Sequence, residues 1–279
     1  MQKTIANNAF FFVTLQKNFI MPTTLILSAL AILPVVLLSI YVYRKDKFGK
    51  EPFGMLLKTF FFGCLSVIPA IILEGFLMGI HPATAANGSV LSYSLYHGFV
   101  VAGFSEELSK LLLLALAVWR SRHFNEYFDG IVYAAFLSLG FAGVENFTYV
   151  FGQGDLYASL HTALLRAAVS VPGHFLFGVA MGYYFALAKF EPAKRMSHLV
   201  KALLVPLVLH GTFDALIFSY SLFSDDMPVI SIILFIAFII FDIKIWKAGK
   251  RKLNKLQMKS EVQHWENYQY TEGDDGENG

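Results

Sequence analysis

Long apolar stretches make up most of the chain, and the short segments between them hold most of the charged residues. A helix that crosses the hydrocarbon core of a bilayer needs about 20 residues, and seven stretches reach that length. They cover roughly residues 22 to 43, 55 to 80, 92 to 119, 130 to 151, 160 to 189, 199 to 222 and 228 to 246. The pattern predicts an all-α polytopic membrane protein with about seven transmembrane helices.

Composition agrees with this prediction and indicates which binding partners to expect. Hydrophobic residues are 56% of the 279 residues and charged residues only 15%, which is far from the soluble globular range. The net charge of +2 gives no reason to expect a nucleic-acid partner, so the lipid bilayer is the first partner that the sequence predicts. The single cysteine, Cys64, excludes an internal disulfide and shows no metal-binding spacing.

The basic residues predict the orientation of the chain in a cell membrane. The segments RKDKFGK, RSRH, KFEPAKR and KAGKRKLNK follow the first, third, fifth and seventh stretches, whereas the alternate loops contain no Lys or Arg. By the positive-inside rule the N-terminus lies outside and the C-terminus lies in the cytoplasm. We therefore expect an N-terminal extracytoplasmic segment (1–21), a transmembrane helical domain (22–247) and a partly disordered cytoplasmic tail (248–279).

Ionisable side chains inside the apolar stretches indicate where function lies, because each costs a few kcal/mol at the bilayer centre. Four of them fall near the centres of three stretches and hence at one level of the bilayer, and the others lie within a few turns; the set is Glu106, Glu107, Lys110, Glu145, Arg166, His174, His210 and Asp214. Glu74 lies near an outer end, where it can reach water, and stands apart from this group.

Local spacing predicts how these charges are compensated. Lys110 lies four residues after Glu106 and three after Glu107, so it can neutralise either carboxylate and leave the other for chemistry. Asp214 lies four residues after His210, which allows its carboxylate to orient the imidazole ring.

A Pro-Gly pair, Pro172 and Gly173, directly precedes His174. We expect it to interrupt the fifth helix, and irregular backbone at membrane depth is tolerated only inside protein or beside a wet cavity. The pair therefore predicts a cavity at His174.

Simpler interpretations exist for several of these residues. A single His in mid-helix most often packs against a neighbouring helix, which holds for His174 or His210 taken alone. Glu145 and Arg166 lie at similar depth on consecutive helices and suit a structural ion pair as well as a catalytic role. The small residues of LGFAG suit close helix packing.

Carboxylates and imidazoles in a shielded pocket suit peptide hydrolysis by activated water. A buried Glu can take a proton from water and pass it to the leaving amine, and imidazoles can stabilise the oxyanion. Glu106, His174 and His210 could also hold a catalytic zinc ion, but no HExxH pair is present and we favour a metal-free glutamate mechanism without a cofactor. Proton-coupled transport is the alternative, since transporters also use buried Glu and His.

Four motifs in order resemble those of the PrsW family, which belongs with the type II CAAX prenyl endopeptidases to a superfamily of intramembrane proteases. They are Glu106-Glu107-x-x-Lys110, then Phe141-x-x-x-Glu145, then LLRAAVSVPGH with Arg166 and His174, then HGTFD with His210 and Asp214. The resemblance covers roughly residues 100 to 220.

The resemblance implies an endopeptidase, with a catalytic core at about 92–222, that makes the first cut in a membrane-anchored anti-sigma factor of a stress response. It implies that Glu106 is the water-activating base, that Glu107 is its partner and that His210 is essential. The CAAX endopeptidases have Asn at the position of Asp214 and His at that of Glu145. The departure at Glu145 implies that His174 supplies the second imidazole.

Overall fold

The fold is a bundle of long helices joined by short connections. The computed structural model describes the backbone of residues 2–80, 90–223 and 227–275, and side chains within 23–80, 90–223 and 227–266. In these ranges the α-helices are α1 (Gln2–Lys45), α2 (Phe53–Ile80), α3 (Val90–Leu95), α4 (Ser105–Val118), α5 (Asp129–Phe151), α6 (Leu156–Leu165), α7 (Val171–Phe190), α8 (Arg195–Phe223) and α9 (Pro228–Asp275). Two π-helical segments, Tyr96–Phe104 and Arg166–Ser170, join α3 to α4 and α6 to α7.

Within the part of the chain that the structure describes, six helical segments are long and apolar enough to cross a membrane. They are Thr23–Lys45, Phe53–Ile80, Asp129–Phe151, Leu156–Phe190, Pro192–Phe223 and Pro228–Glu266. The predicted span at 92–119 corresponds to α3, its π-helical segment and α4, which are helical throughout and carry the three charges of the first motif. The prediction of an all-α polytopic membrane protein is confirmed.

Helix α5 lies at the centre of the bundle. It packs against α1, α2 and α7, and α7 packs in turn against α8 and α9. In the apolar stretch of α5, 72% of the residues are buried inside the bundle, whereas in that of α9 only 17% are. Helix α9 therefore faces the surroundings along most of its apolar stretch. The motif residues Phe141 and Glu145 thus lie on the most enclosed helix.

Close approach of α2 and α5 depends on glycine. A Cβ atom at Gly140 would overlap the carbonyl oxygen of Phe60, and one at Gly63 would overlap that of Leu137. Backbones of membrane helices approach this closely where small residues line the contact. The sequence-based interpretation of LGFAG as a packing segment is confirmed for Gly140.

The irregular backbone near His174 lies before the Pro-Gly pair and not at it. Helix α7 begins at Val171 and continues through Pro172 and Gly173, so the predicted interruption there is wrong. The π-helical segment Arg166–Ser170 directly precedes it. Proline lacks an N–H and its ring crowds the carbonyl four residues earlier, so it fits the first turn of a helix, and here the wider preceding turn accommodates it.

The C-terminal segment that we expected to be a partly disordered tail is helical as far as Asp275, and residues 276–279 lie outside the described part. Leu253 and Leu256 of this segment are buried. Ser260 accepts a hydrogen bond from the Phe128 N–H, and the Gln257 amide donates to the Lys45 carbonyl at 2.7 Å. The segment thus packs across the loops at one end of the bundle.

Candidate active site

The ammonium group of Lys110 lies at the centre of the buried charges. Its Nζ is 3.0 Å from Glu106 Oε2, 2.8 Å from Glu107 Oε1 and 3.2 Å from His174 Nδ1. It also lies 4.0 Å from the ring centroid of Phe141. The predicted pairing of Lys110 with either Glu is therefore an ion triad with both, and the motif residue Phe141 covers the cation.

His210 joins α8 to this triad. Its Nδ1 is 2.9 Å from Glu107 Oε1, and its Nε2 is 3.3 Å from Asp214 Oδ2. The ring of Phe177 stacks on the imidazole with centroids 4.8 Å apart. Both ring nitrogens of His210 thus face carboxylate oxygens, which determine the plane and position of the ring.

His174 is held by α5. Its Nε2 is 2.7 Å from Glu145 Oε2, and its carbonyl accepts a hydrogen bond from Ser138 Oγ at 2.6 Å. Because an ammonium group only donates, Nδ1 accepts from Lys110 and Nε2 carries the proton that is donated to Glu145. The neighbouring charges therefore select one tautomer of His174.

Glu145 has two partners. Arg166 Nη2 lies 2.9 Å from the same Oε2 atom that accepts from His174, and Arg166 Nε donates to Asn146 Oδ1 at 3.0 Å. The ion pair between Glu145 and Arg166 is therefore present, and it belongs to the network that orients His174. Of the two interpretations that the sequence left open, the structural ion pair thus applies, and a catalytic role of either residue stays a prediction.

These groups border a cavity of about 290 Å³. Glu106 lines it together with both imidazoles, with Oε2 at 4.0 Å from His174 Nδ1 and 3.9 Å from His210 Nε2. Glu107 does not line the cavity, and its side chain is completely buried. Of the two adjacent carboxylates, Glu106 is thus the one that a molecule in the cavity meets.

The cavity is also lined by residues to which the sequence assigned no functional role. Glu74 lines its wall, so the prediction that this residue stands apart is wrong. His97 and Tyr149 line the cavity as well. A carboxylate within an apolar helix already marks Glu74 as a possible functional residue. Its distance in sequence from the other motifs, however, gives no indication that it lies on the wall of the same cavity. Met78 and Tyr149 on its wall lie near the end of the bundle at which α2 and α5 end, at Ile80 and Phe151.

The donor atoms suit a metal ion by type. Glu106, Glu107, His174 and His210 each offer a ligand atom within 4.8 Å of the others. Two ligands of a tetrahedral zinc ion lie about 3.4 Å apart, given bonds of about 2.1 Å, so the separations near 4 Å between Glu106 and the two imidazoles need only a small shift. Lys110, however, already donates to Glu106 and to His174 Nδ1.

A family profile described as PrsW family intramembrane metalloprotease matches residues 51–241. The chain belongs to the PrsW family. The match includes all the groups described above, from Glu74 to Asp214, and it identifies the chain as a member of a family of intramembrane proteases that act on membrane-embedded proteins. It gives no support to the alternative of a proton-coupled transporter.

Curated relatives agree with this assignment. The chain is 37% identical over 229 residues to Protease PrsW of Clostridioides difficile (strain 630), which covers 81% of this chain and 89% of that protein. It is 35% identical over 225 residues to Protease PrsW of Bacillus subtilis (strain 168), with 80% and 92% covered. No solved structure matches the chain.

Proposed function

We propose that this PrsW protein hydrolyses a peptide bond of a membrane-anchored protein with Glu106 as the water-activating base. The observation that carries the proposal is the position of the Glu106 carboxylate on the cavity wall, about 4 Å from His174 and from His210. A water molecule that contacts Glu106 there lies within reach of both imidazoles.

The chemistry follows from these positions. Glu106 takes a proton from water, and the hydroxide attacks the carbonyl carbon of the scissile bond. His210 stabilises the oxygen that becomes negatively charged, because preorganised donors are worth most in a water-poor site. Glu106 then passes its proton to the nitrogen as the C–N bond breaks, so that a carboxylate and an amine leave.

The remaining buried groups hold this arrangement in place. Lys110 balances the charge of Glu106 and Glu107, and Glu107 positions the His210 ring through Nδ1. Glu145, held by Arg166, orients His174. Because each charged group has a partner of opposite charge, the site tolerates burial that would expel an isolated charge.

Glu106, His174 and His210 are the residues that would hold a divalent metal ion. Such an ion, when bound, polarises the carbonyl and lowers the pKa of its water. We propose the metal-free mechanism because the Lys110 ammonium already provides a positive charge at the same oxygen and nitrogen atoms.

We propose the first cut in an anti-sigma factor as the cellular role and a cell membrane as the location, with the N-terminus outside. In this orientation the cavity lies nearer the outer face, because Met78 and Tyr149 on its wall lie close to the ends of α2 and α5, and the sequence segments that follow these ends contain no Lys or Arg. A cut there releases the extracytoplasmic part of a single-span protein and leaves a shortened anchor for later proteolysis.

The test uses purified protein reconstituted in lipid and a panel of tagged single-span proteins, anti-sigma factors included. Glu106→Gln lowers the cleavage rate by about 100-fold or more, the scale of a lost general base, whereas Glu261→Gln, which changes an exposed carboxylate, leaves it unchanged. A metal chelator leaves the wild-type rate unchanged. Full activity of Glu106→Gln refutes the base, and loss with chelator that zinc restores refutes the metal-free mechanism.

A further inference from the structure

A second, mostly apolar depression lies beside the catalytic cavity and has no role in the mechanism above. We call it the lateral groove. It has a volume of about 340 Å³ and is lined by Tyr149, Gln153, Thr162, Leu165, Arg166, Val169, Ser170, Leu216, Ile217, Tyr220, Phe235 and Phe238. These residues come from α5, the connection between α5 and α6, α6 with its π-helical segment, α8 and α9.

The lateral groove is open to the surroundings of the bundle. Leu165 on α6 is 52% exposed and Phe235 on α9 is 50% exposed. Helix α6 packs against α1 and α5, whereas α8 packs against α7 and α9. Residues of α6 line the groove together with residues of α8 and α9, and its exposed apolar rim suits contact with lipid.

The lateral groove is continuous with the catalytic cavity. Tyr149, Arg166, Ser170 and Ile217 line both spaces. Arg166 and Ser170 are the first and last residues of the π-helical segment, and such segments are frequent at functional sites. The wider backbone turn thus lies at the boundary between an apolar space and a space that contains carboxylates and imidazoles.

The boundary side chains are held rigidly. Arg166 is bound to Glu145 and Asn146, and its guanidinium lies 4.3 Å from the ring centroid of Tyr149. Asn146 in turn donates to the Ala31 carbonyl at 2.8 Å. Because Arg166 contacts three neighbouring side chains, we expect it to keep its position when a substrate binds. A peptide segment would then pass between the two spaces beside Ser170 and Ile217, which line both.

We propose that the lateral groove receives the transmembrane segment of the substrate from the bilayer and delivers the scissile bond to the catalytic cavity. This inference rests on the proposed function and specifies the path by which the substrate reaches the catalytic cavity. Apolar side chains of the substrate stay in contact with apolar groove walls, which avoids exposing them to the polar cavity. The peptide groups that unwind for cleavage enter the cavity, where polar groups replace their lost hydrogen bonds.

The first test blocks the lateral groove with a matched pair of substitutions. Leu165 lines the groove, whereas Leu164, its neighbour on α6, does not and is 59% exposed. Leu165→Trp lowers cleavage of the membrane-anchored substrate at least tenfold and changes cleavage of a short soluble peptide with the same cut sequence less than twofold. Leu164→Trp leaves both rates unchanged. Equal losses on both substrates, or no loss on either, overturn the proposal.

The second test does not require turnover. A benzophenone amino acid replaces Phe235 on the groove wall or Ile236 beside it, which is 52% exposed and does not line the groove. In the Glu106→Gln background, illumination yields an adduct between position 235 and the transmembrane segment of the single-span protein, and at least fivefold less from position 236. Equal adducts from both positions, or adducts only with lipid or a second copy of the chain, overturn the groove as the route.

The two tests separate this inference from the proposed function. If wild-type protein cleaves the soluble peptide and Glu106→Gln does not, the function stands whatever the groove variants do. If Leu165→Trp then cleaves the anchored substrate at the wild-type rate, the route alone is refuted. An adduct at position 235 without cleavage of any peptide retains the binding surface and refutes the protease mechanism.

Discussion

Two histidines from different helices have different partners at one level of the site. The ring centroids of His174 and His210 are 5.2 Å apart and the rings are nearly perpendicular. His174 contacts a lysine and a glutamate, whereas His210 contacts two carboxylates. Since both flank Glu106, we expect them to act on the same reacting atoms if Glu106 is the base.

A double-substitution experiment tests this shared action. His174→Ala and His210→Ala each reduce the cleavage rate by about 100-fold or more. The double variant cleaves only slightly more slowly than the slower single variant, because the effects of groups that act as a unit are non-additive. Cleavage rates of the four proteins on one substrate measure the coupling. Losses that multiply would instead assign the two histidines to independent roles in helix packing.

The sequence predicts those contacts that lie within one helix. The spacings of Glu106 and Lys110, and of His210 and Asp214, follow from helix geometry and are present in the structure. The contact between His210 and Glu107 joins helices far apart in sequence, so no local spacing reveals it. Glu74 was misplaced for the same reason, since the relative rotation of α2 and α4 decides whether it reaches the cavity.

At the scale of whole helices, two glycines of α5 offer a matched test of close packing. A methyl group at Gly140 would overlap the Phe60 carbonyl of α2, whereas one at Gly143 would meet only ordinary van der Waals contacts at 3.8 Å or more. The two positions lie one turn apart on the same helix and so share its intrinsic helix propensity.

Gly140→Ala lowers the free energy of unfolding by about 1–3 kcal/mol, the usual cost of overpacking. Gly143→Ala leaves it unchanged or raises it by up to about 1 kcal/mol, because alanine is the better helix former. Thermal unfolding of both variants in detergent measures the difference. Equal stability of the two variants would show that α2 can move away from α5 without cost.

The C-terminal part of α9 shows where sequence patterns fail at this scale. Its lysines and polar residues are typical of a solvated tail, and most of the side chains described between residues 250 and 266 are indeed exposed. Among these residues only a few are buried against the bundle, including Leu253, Leu256 and Ser260. Such sparse contacts do not produce the broad apolar stripe on which prediction of a packed helix depends.

At the scale of the whole molecule, the end of the bundle opposite the cavity carries a second group of buried acids. Asp46 and Glu51 lie in the connection between α1 and α2, and Asp129 begins α5. The Tyr133 hydroxyl donates a hydrogen bond to Glu51. Asp129 and Tyr133 lie in the first two turns of α5, whereas Glu145 of the catalytic network lies about four turns later on the same helix, so we expect titration of this group to affect stability more than the chemistry of the cavity.

Burial, helped by the charges of Asp46 and Glu126, raises the pKa of Glu51 from 4.5 to about 7, although hydrogen bonds with Tyr133 and Asp129 lower it. Burial likewise raises the pKa of Asp46 to about 6. Because the folded protein binds these protons more tightly than the unfolded chain, stability falls as pH rises through the interval between the unfolded and folded pKa values. For Glu51 this interval runs from pH 4.5 to about 7.

The melting temperature in detergent therefore decreases as the pH rises from 5 to 8, and Glu51→Gln reduces that decrease. The amide keeps an acceptor for the Tyr133 hydroxyl but carries no charge, so this variant melts at a higher temperature than wild type at pH 8 and close to wild type at pH 5. Glu261→Gln, at an exposed position of α9, retains the wild-type pH profile. A Glu51→Gln profile with the full wild-type slope would assign the pH dependence to other groups, with Asp46→Asn as the next variant to measure.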